Sequence, residues 1–136
     1  FNGCFYIDPT SKKPTYSNYY PGSINVTSAG SISGSTNIDA YIYDDPYMLF
    51  EAQCDGTLAK TDIGKNTDTV LTAGSTVNGL SKNEIDDSTE ATTAGLQVKI
   101  IGITKDPEND DASSANANWY VMFNEHVKLG TGITGT

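Results

Sequence analysis

The sequence predicts an all-β protein, a small antiparallel β-barrel or sandwich with long loops and an extended N-terminal arm region. Three observations favour this class. Several short segments alternate apolar and polar residues or are rich in β-branched and aromatic ones, Gly, Pro, Asn and Asp lie between them, and no apolar pattern with a helical period is sustained. Short strands punctuated in this way are typical of sandwiches and barrels. With 136 residues, we predict a single β domain over 1–136.

The first segments predict a hairpin followed by an arm. Aromatic and β-branched residues in 3–8 and 14–20 flank a polar turn that is bounded by prolines. Residues 22–36 are mostly Gly, Ser and other small residues, so we expect a flexible loop or arm that becomes ordered against a neighbour.

Residues 37–43 give the clearest strand pattern, with Ile38, Ala40 and Ile42 predicted to face the core and the Asp and Tyr residues between them the other side. The Asp-Asp-Pro sequence at 44–46 then predicts a turn, because Asp side chains cap turn backbones and Pro presets one dihedral angle.

Three further strands are predicted at 47–53, 96–103 and 119–123. Residues 55–95 are rich in Thr, Ser, Asn, Gly and Asp and predict short strands and long loops, and the Gly- and Thr-rich residues 130–136 predict a frayed or partner-bound tail. The residues expected to face inward from these strands are Met48, Phe50, Ala52, Trp119, Val121 and Phe123.

Charge excludes several functions. The chain has 17 acidic and 8 basic residues, a formal net charge of −9, and every basic residue is Lys. Nucleic-acid binding requires a cationic surface and usually Arg, and an anionic membrane surface would repel this protein. We therefore expect no nucleic-acid and no membrane partner, and no apolar run reaches the roughly 18–20 residues of a membrane-spanning helix.

Candidate catalytic residues are few. The chain has one histidine, His126, which follows the last predicted strand, and none of the common nucleophile, zinc-protease or phosphate-loop motifs. We expect a non-enzymatic protein without a cofactor. The two cysteines, Cys4 and Cys54, do not form a metal-binding pair; they could close one long disulfide loop or remain as thiols in a reducing compartment.

Acidic clusters at 44–45, 86–87 and 106–111 are candidate Ca²⁺ ligands, because hard cations prefer carboxylate oxygens. The last cluster lacks the turn glycine and the terminal Glu of an EF-hand loop, and we interpret all three as solvated acidic loops rather than metal sites. Paired carboxylates are also used in glycoside hydrolysis, but a single Trp on a core-like strand gives little support for a sugar-binding cleft.

The eight tyrosines are the most unusual feature of the composition. Tyr offers a large rigid contact area and one hydrogen bond at low entropic cost, which suits protein interfaces, although Tyr also favours ordinary strands. The predicted partner-contact residues are Tyr6, Tyr16, Tyr19, Tyr20, Ile24, Val26, Tyr41, Tyr43 and Tyr47.

A family resemblance rests on five stretches in order, FNGCFYID at 1–8, PTYSNYYP at 14–21, AYIYDDP at 40–46, FEAQ at 50–53 and LQVKIIGI at 96–103. In this order they resemble small virion structural proteins of tailed bacteriophages, of the kind that cement or decorate the capsid. The resemblance implies a β-domain on the outer capsid surface of the virion, assembled in the host cytoplasm. It would bridge major capsid protein subunits and stabilise the shell, as a homo-oligomer such as a trimer at local threefold positions.

Two other functions stay open at this stage. A secreted adhesin-like or pilus-like module would carry an oxidised Cys4–Cys54 pair, whereas a capsid protein would keep free thiols. A carbohydrate-binding module would use exposed aromatic residues together with an acidic pair.

Overall fold

An all-β fold is confirmed by the computed structural model, which describes residues 2–8, 11–19, 25–26, 30–31, 38–109, 111–130 and 132–136. The strands found there are β1 (Gly3–Ile7), β2 (Pro14–Ser17), β3 (Asn25–Val26), β4 (Gly30–Ser31), β5 (Ile38–Tyr41), β6 (Leu49–Gln53), β7 (Asn66–Thr67), β8 (Thr69–Val70), β9 (Glu84–Ile85), β10 (Val98–Ile103) and β11 (Asn118–Phe123). All pairings between these strands are antiparallel, and their sheets are open rather than closed into a barrel. No helix in the described ranges is long and apolar enough to cross a membrane.

Contacts divide the chain into two compact units, and the single domain expected over 1–136 stays a prediction. The N-terminal unit comprises Phe1–Asp44 and Gly74–Ser81, and the C-terminal unit comprises Asp45–Ala73 and Lys82–Thr136.

The N-terminal unit is built on a three-stranded sheet in the order β2-β1-β5. Its small core consists of the buried residues Cys4 and Tyr6 with Ile38 packed against them. The Asn18 side-chain amide donates to Asn78 O at 2.9 Å, which links the hairpin to the segment Gly74–Ser81 of the same unit.

The predicted arm at 22–36 lies largely outside the described residues, and its expected flexibility stays a prediction. Within it, β3 and β4 pair as a two-residue antiparallel ladder. The strand predicted over 37–43 is shorter than expected and ends at Tyr41, so that Ile42, predicted to face the core, is 65% exposed. Likewise β2 ends at Ser17, short of the predicted 14–20.

The C-terminal unit contains a four-stranded sheet in the order β6-β11-β10-β7, with β8 and β9 paired beside it. Burial alternates from Trp119 to Val121 of β11, as the sequence predicted. Trp119 and Val121 are buried, while Phe123 on the same side is 36% exposed and packs edge-to-face on Phe50 with ring centroids 4.9 Å apart. The buried core residues are Cys54, Leu58, Ile85, Val98, Ile100, Ala112, Ala117, Trp119 and Val121.

The sequence predicts a frayed or partner-bound tail at 130–136, and for its described residues the frayed alternative is wrong. Its described residues 132–136 are bound along the C-terminal unit; for example, Gly135 N–H donates to Thr92 O and Thr136 N–H donates to Gly64 O. Glycine and threonine suggested fraying from the sequence, but their small size here allows close main-chain contact.

Candidate functional site

The outer face of the sheet in the N-terminal unit is rich in exposed aromatic residues. Along β1, Cys4 and Tyr6 are buried, whereas Phe5 and Ile7 are 38% and 52% exposed. Successive side chains of a strand point to opposite faces, so Phe5 and Ile7 mark the face that solvent reaches.

Register extends this exposed face over the neighbouring strands. Tyr16 of β2 pairs with Phe5, and Tyr41 of β5 pairs with Gly3. Tyr16 and Tyr41 are 55% and 52% exposed. We call Phe5, Ile7, Tyr16 and Tyr41 the aromatic face.

Tyr16 is held in a defined position. Its hydroxyl donates to Asn2 O at 2.8 Å, and its ring lies so close to Gly3 that a Cβ added at Gly3 would overlap it. The hydroxyl of Tyr43 donates to Asn2 Oδ1 at 3.2 Å. Two tyrosines are therefore oriented by one residue, and the glycine in β1 is what allows Tyr16 to lie across the strand.

The predicted contact residues do not all lie on this face. Tyr6 is on the covered side, and burial, followed by the nearby Tyr19 and Asp8, raises its pKa. Tyr19 is half-buried, and its carbonyl oxygen accepts a hydrogen bond from Cys4 Sγ at 3.4 Å. Tyr47 is 70% exposed but belongs to the C-terminal unit. Outside the description lie Tyr20, Ile24 and the side chain of Val26.

Phe5 and Ile7 were missed by the sequence analysis. The signal was present in the alternation of β1, because Phe5 and Tyr6 cannot share a face of one strand. Tyr16 pairs with Phe5, so choosing Tyr6 and Tyr16 together combined residues from opposite faces of the sheet.

Both cysteines are buried free thiols. Burial raises the pKa of Cys4. Burial also raises the pKa of Cys54, against the opposing hydrogen bond from the Gly56 backbone. A raised pKa keeps these groups as thiols at neutral pH, and thiols are poor nucleophiles and poor metal ligands.

His126 has a structural contact in a turn. Its Nδ1 accepts a hydrogen bond from Lys128 N–H at 3.1 Å, and its ring lies 6.2 Å from the ring of Phe123. This geometry stabilises the turn at 126–130 and gives no support to a catalytic role.

One acidic cluster brings together residues that are distant in sequence. Carboxylate oxygens of Asp55, Asp86 and Asp87 lie within 4.8 Å of one another, because Cys54 and Ile85 form a β-bridge just before them. Three such oxygens are ligands that Ca²⁺ prefers. In this structure they act as acceptors for the loop backbone: Asp55 Oδ1 accepts Asp87 N–H at 3.0 Å, and Asp87 Oδ2 accepts Thr57 N–H at 3.1 Å.

The other predicted acidic clusters are turn acceptors. Asp45 Oδ1 accepts Tyr47 N–H, and Asp106 Oδ1 accepts Glu108 N–H. Hydrogen bonds from the hydroxyl and N–H of Ser113 hold the pKa of Asp111 below its usual value. Each carboxylate replaces a backbone partner within a turn, which explains Asp at these positions without a bound metal.

A shallow pocket of about 450 Å³ lies between residues 57–60 and 111–113 of the C-terminal unit. Buried Leu58 and Ala112 line it, and Lys60 and Asp111 supply charges of opposite sign. It contains no histidine or cysteine, so its chemistry is that of a small mixed apolar and polar depression.

Comparison with known proteins gives no relative: no family, no curated protein and no solved structure matches this chain.

Proposed function

We propose that this protein is a structural virion protein that cements or decorates a bacteriophage capsid, binding major capsid protein subunits through its aromatic face. The proposal starts from the resemblance described above. The observation that supports it best is the aromatic face, because four large side chains on one side of a sheet are between 38% and 55% exposed.

A partner that covers the aromatic face removes its apolar surface from water, and this burial stabilises the complex. Burial of apolar surface contributes about 25 cal/mol per Å², and aromatic residues are enriched at interface cores. A stable interface buries roughly 800 Å² on each partner, more than four side chains supply. Other segments of the chain, or further copies of it, must therefore contribute to binding on a shell.

Charge indicates what the partner presents. Within β1, β2 and β5, Asp39 is the only charged residue, and it pairs with Phe5 in the middle of the aromatic face. The capsid surface that fits has an apolar patch with a Lys or Arg opposite Asp39. The net charge of −9 also keeps the protein away from packaged nucleic acid.

A particle-binding assay tests the proposal. The chain is co-expressed with the major capsid protein of the same phage, shells are isolated, and the copies per shell are measured against protein concentration. Saturable binding is expected. Tyr16→Ser and Tyr41→Ser should each weaken it at least about tenfold, as expected for aromatic residues at the centre of an interface.

Tyr120→Ser is the matched control, because Tyr120 is 39% exposed on β11 of the C-terminal unit and should leave occupancy unchanged. Equal binding of all three variants would remove the aromatic face from the proposal, and no binding of the unmodified chain would reject the capsid role. A glycan array with and without Ca²⁺ and binding to host-cell surfaces then test the carbohydrate-binding and adhesin-like alternatives.

A further inference from the structure

The described tail residues Gly132–Thr136 occupy a groove in the C-terminal unit. The groove is formed by residues 64–66, residues 91–94 and Asn124, and we call it the tail groove. It is built from backbone atoms and buried amide side chains.

Main-chain hydrogen bonds hold the tail along its length. Gly135 N–H donates to Thr92 O at 3.0 Å, and Thr136 N–H donates to Gly64 O at 3.1 Å. The Lys99 ammonium donates to Thr134 O at 3.3 Å and to Gly64 O at 3.2 Å, which ties tail and groove together.

Two buried amides bind the tail backbone at Ile133. Asn66, which is fully buried, donates from Nδ2 to Ile133 O at 2.8 Å, and Asn124 Oδ1 accepts Ile133 N–H at 3.0 Å. Asn124 also donates to Ala94 O at 2.7 Å, which fixes its orientation. The backbone N–H and C=O of Ile133 are thus both bound by side-chain amides of the groove.

The glycines of the tail fit where no side chain would. A Cβ on Gly135 would lie 2.9 Å from Lys65 Cα and 3.0 Å from Gly64 O, and a Cβ on Gly132 would overlap Ala94 O. These are backbone atoms, so the groove cannot relax cheaply. By contrast, Ile133 is 70% exposed and Thr134 is also exposed, so the groove makes little use of their side chains.

We infer that the tail groove is a binding site for an extended peptide with the spacing Gly-x-x-Gly. The chain's own tail fills it in cis, and the tail of a second copy fits it equally well in trans. The contacts are the same whichever chain supplies the segment, which is the condition under which protomers exchange an element. In an assembly of many copies, exchange would link neighbouring subunits.

The experiment uses the full chain with a protease site inserted between Gly130 and Thr131, cleaved after folding. Native mass spectrometry follows replacement of the cut tail by an isotopically labelled peptide of residues 131–136. Peptides with Gly132→Ala or Gly135→Ala should bind at least about tenfold more weakly, and a peptide with Thr134→Ala should bind as the unmodified one does.

Failure of the labelled peptide to bind, or equal binding of all four peptides, would overturn the inference. If release of the tail unfolds the protein, Trp119 fluorescence reports whether added peptide restores the fold: restoration supports the site, and no restoration refutes it.

A second experiment distinguishes a tail bound by its own chain from a tail exchanged with a second copy. The uncut chain is refolded at rising concentration and analysed by size-exclusion chromatography with light scattering. A dimer that forms with the unmodified and Thr134→Ala chains, and that separates into monomers when the protease site before the tail is cut, supports exchange in trans. Monomers at every concentration would reject exchange and leave only the cis ligand.

Discussion

The two units differ in how much of their apolar surface folding uses. In the C-terminal unit Trp119, Leu58, Ile85 and Ile100 are at most 1% exposed, and each such side chain contributes roughly 1.5–3 kcal/mol. Among the described residues of the N-terminal unit, Cys4 and Tyr6 form the buried core. Apolar area that folding leaves exposed remains available for binding, and the aromatic face of this unit is such an area.

The two units also differ in how deeply their hydrogen-bonded polar side chains are buried. The C-terminal unit buries Asn66, Thr67 and Asn124, and their side chains hydrogen-bond to backbone groups from distant parts of the chain. In the N-terminal unit the hydrogen bonds of Tyr16 and Tyr43 to Asn2 are exposed. Exposed hydrogen bonds contribute less to stability, because water competes for both partners.

The largest expected effect comes from the core of the C-terminal unit. Ile100→Ala should lower the free energy of unfolding by about 3 kcal/mol, because it removes most of a fully buried side chain and leaves a cavity in the core. Urea unfolding followed by Trp119 fluorescence measures this, since Trp119 is the only tryptophan and is itself buried.

Ile101→Ala is the matched control on the same strand, and with Ile101 38% exposed its loss should be about 1 kcal/mol or less. Equal losses for the two variants would contradict the packing of β10.

A smaller effect is expected in the N-terminal unit. Gly3→Ala places a Cβ where the Tyr16 ring lies, so Tyr16 must move at a cost of about 1–2 kcal/mol. Amide hydrogen exchange in β1 should accelerate roughly 5- to 30-fold, and the NMR signals of the Tyr16 ring should shift.

Gly102→Ala serves as control, because a Cβ at Gly102 meets no atom within 4 Å, and it should change stability by less than about 0.5 kcal/mol. Unchanged Tyr16 signals in Gly3→Ala would show that the ring does not cross the strand.

The smallest effect concerns charge. Asp62 accepts Ala59 N–H at 2.7 Å and binds the Lys65 ammonium at 2.8 Å. Burial acts to raise the pKa of Asp62, but these hydrogen bonds and the Lys65 charge together outweigh it and lower the pKa. The hydrogen bond to Asp62 in turn raises the pKa of Lys65.

The two shifts define a pH window. A lowered carboxylate pKa stabilises the fold above the unfolded value of about 3.9 and is lost as the pH falls through the folded value. A raised lysine pKa stabilises below about 10.4 and is lost as the pH rises through the folded value. Asp62→Asn should therefore cost about 1 kcal/mol between about pH 5 and 9, and less outside that range.

Thermal unfolding across pH measures the difference. Asp39→Asn in the N-terminal unit is the comparison, since the substitution of this exposed residue should change stability by less than about 0.5 kcal/mol. If the stability lost in Asp62→Asn does not depend on pH, the Asp62–Lys65 ion pair is not its cause.

Local patterns were enough for much of the fold. Alternation correctly placed Phe50, Trp119 and Val121 on the inner side of their strands, and the polar character of 55–95 correctly predicted short strands and loops. The pattern over 37–43 was read too far, because alternation does not indicate where a strand loses its partner, and Ile42 lies beyond that point.

The candidate sites were harder to predict. Asp55 joins Asp86 and Asp87 only through a bridge between distant residues. The tail was predicted to be frayed or partner-bound, yet Gly135 is needed where a backbone approaches closely.

The amino-acid sequence alone determined the all-β class, the acidic charge and the strands that face a core, since these follow from side-chain period and composition over a few residues. Only tertiary structure decided which tyrosines are exposed on one face, which carboxylates meet and where the tail binds. These depend on register and on contacts between residues far apart in the chain, and a shift of one residue in register would have placed every one of them differently.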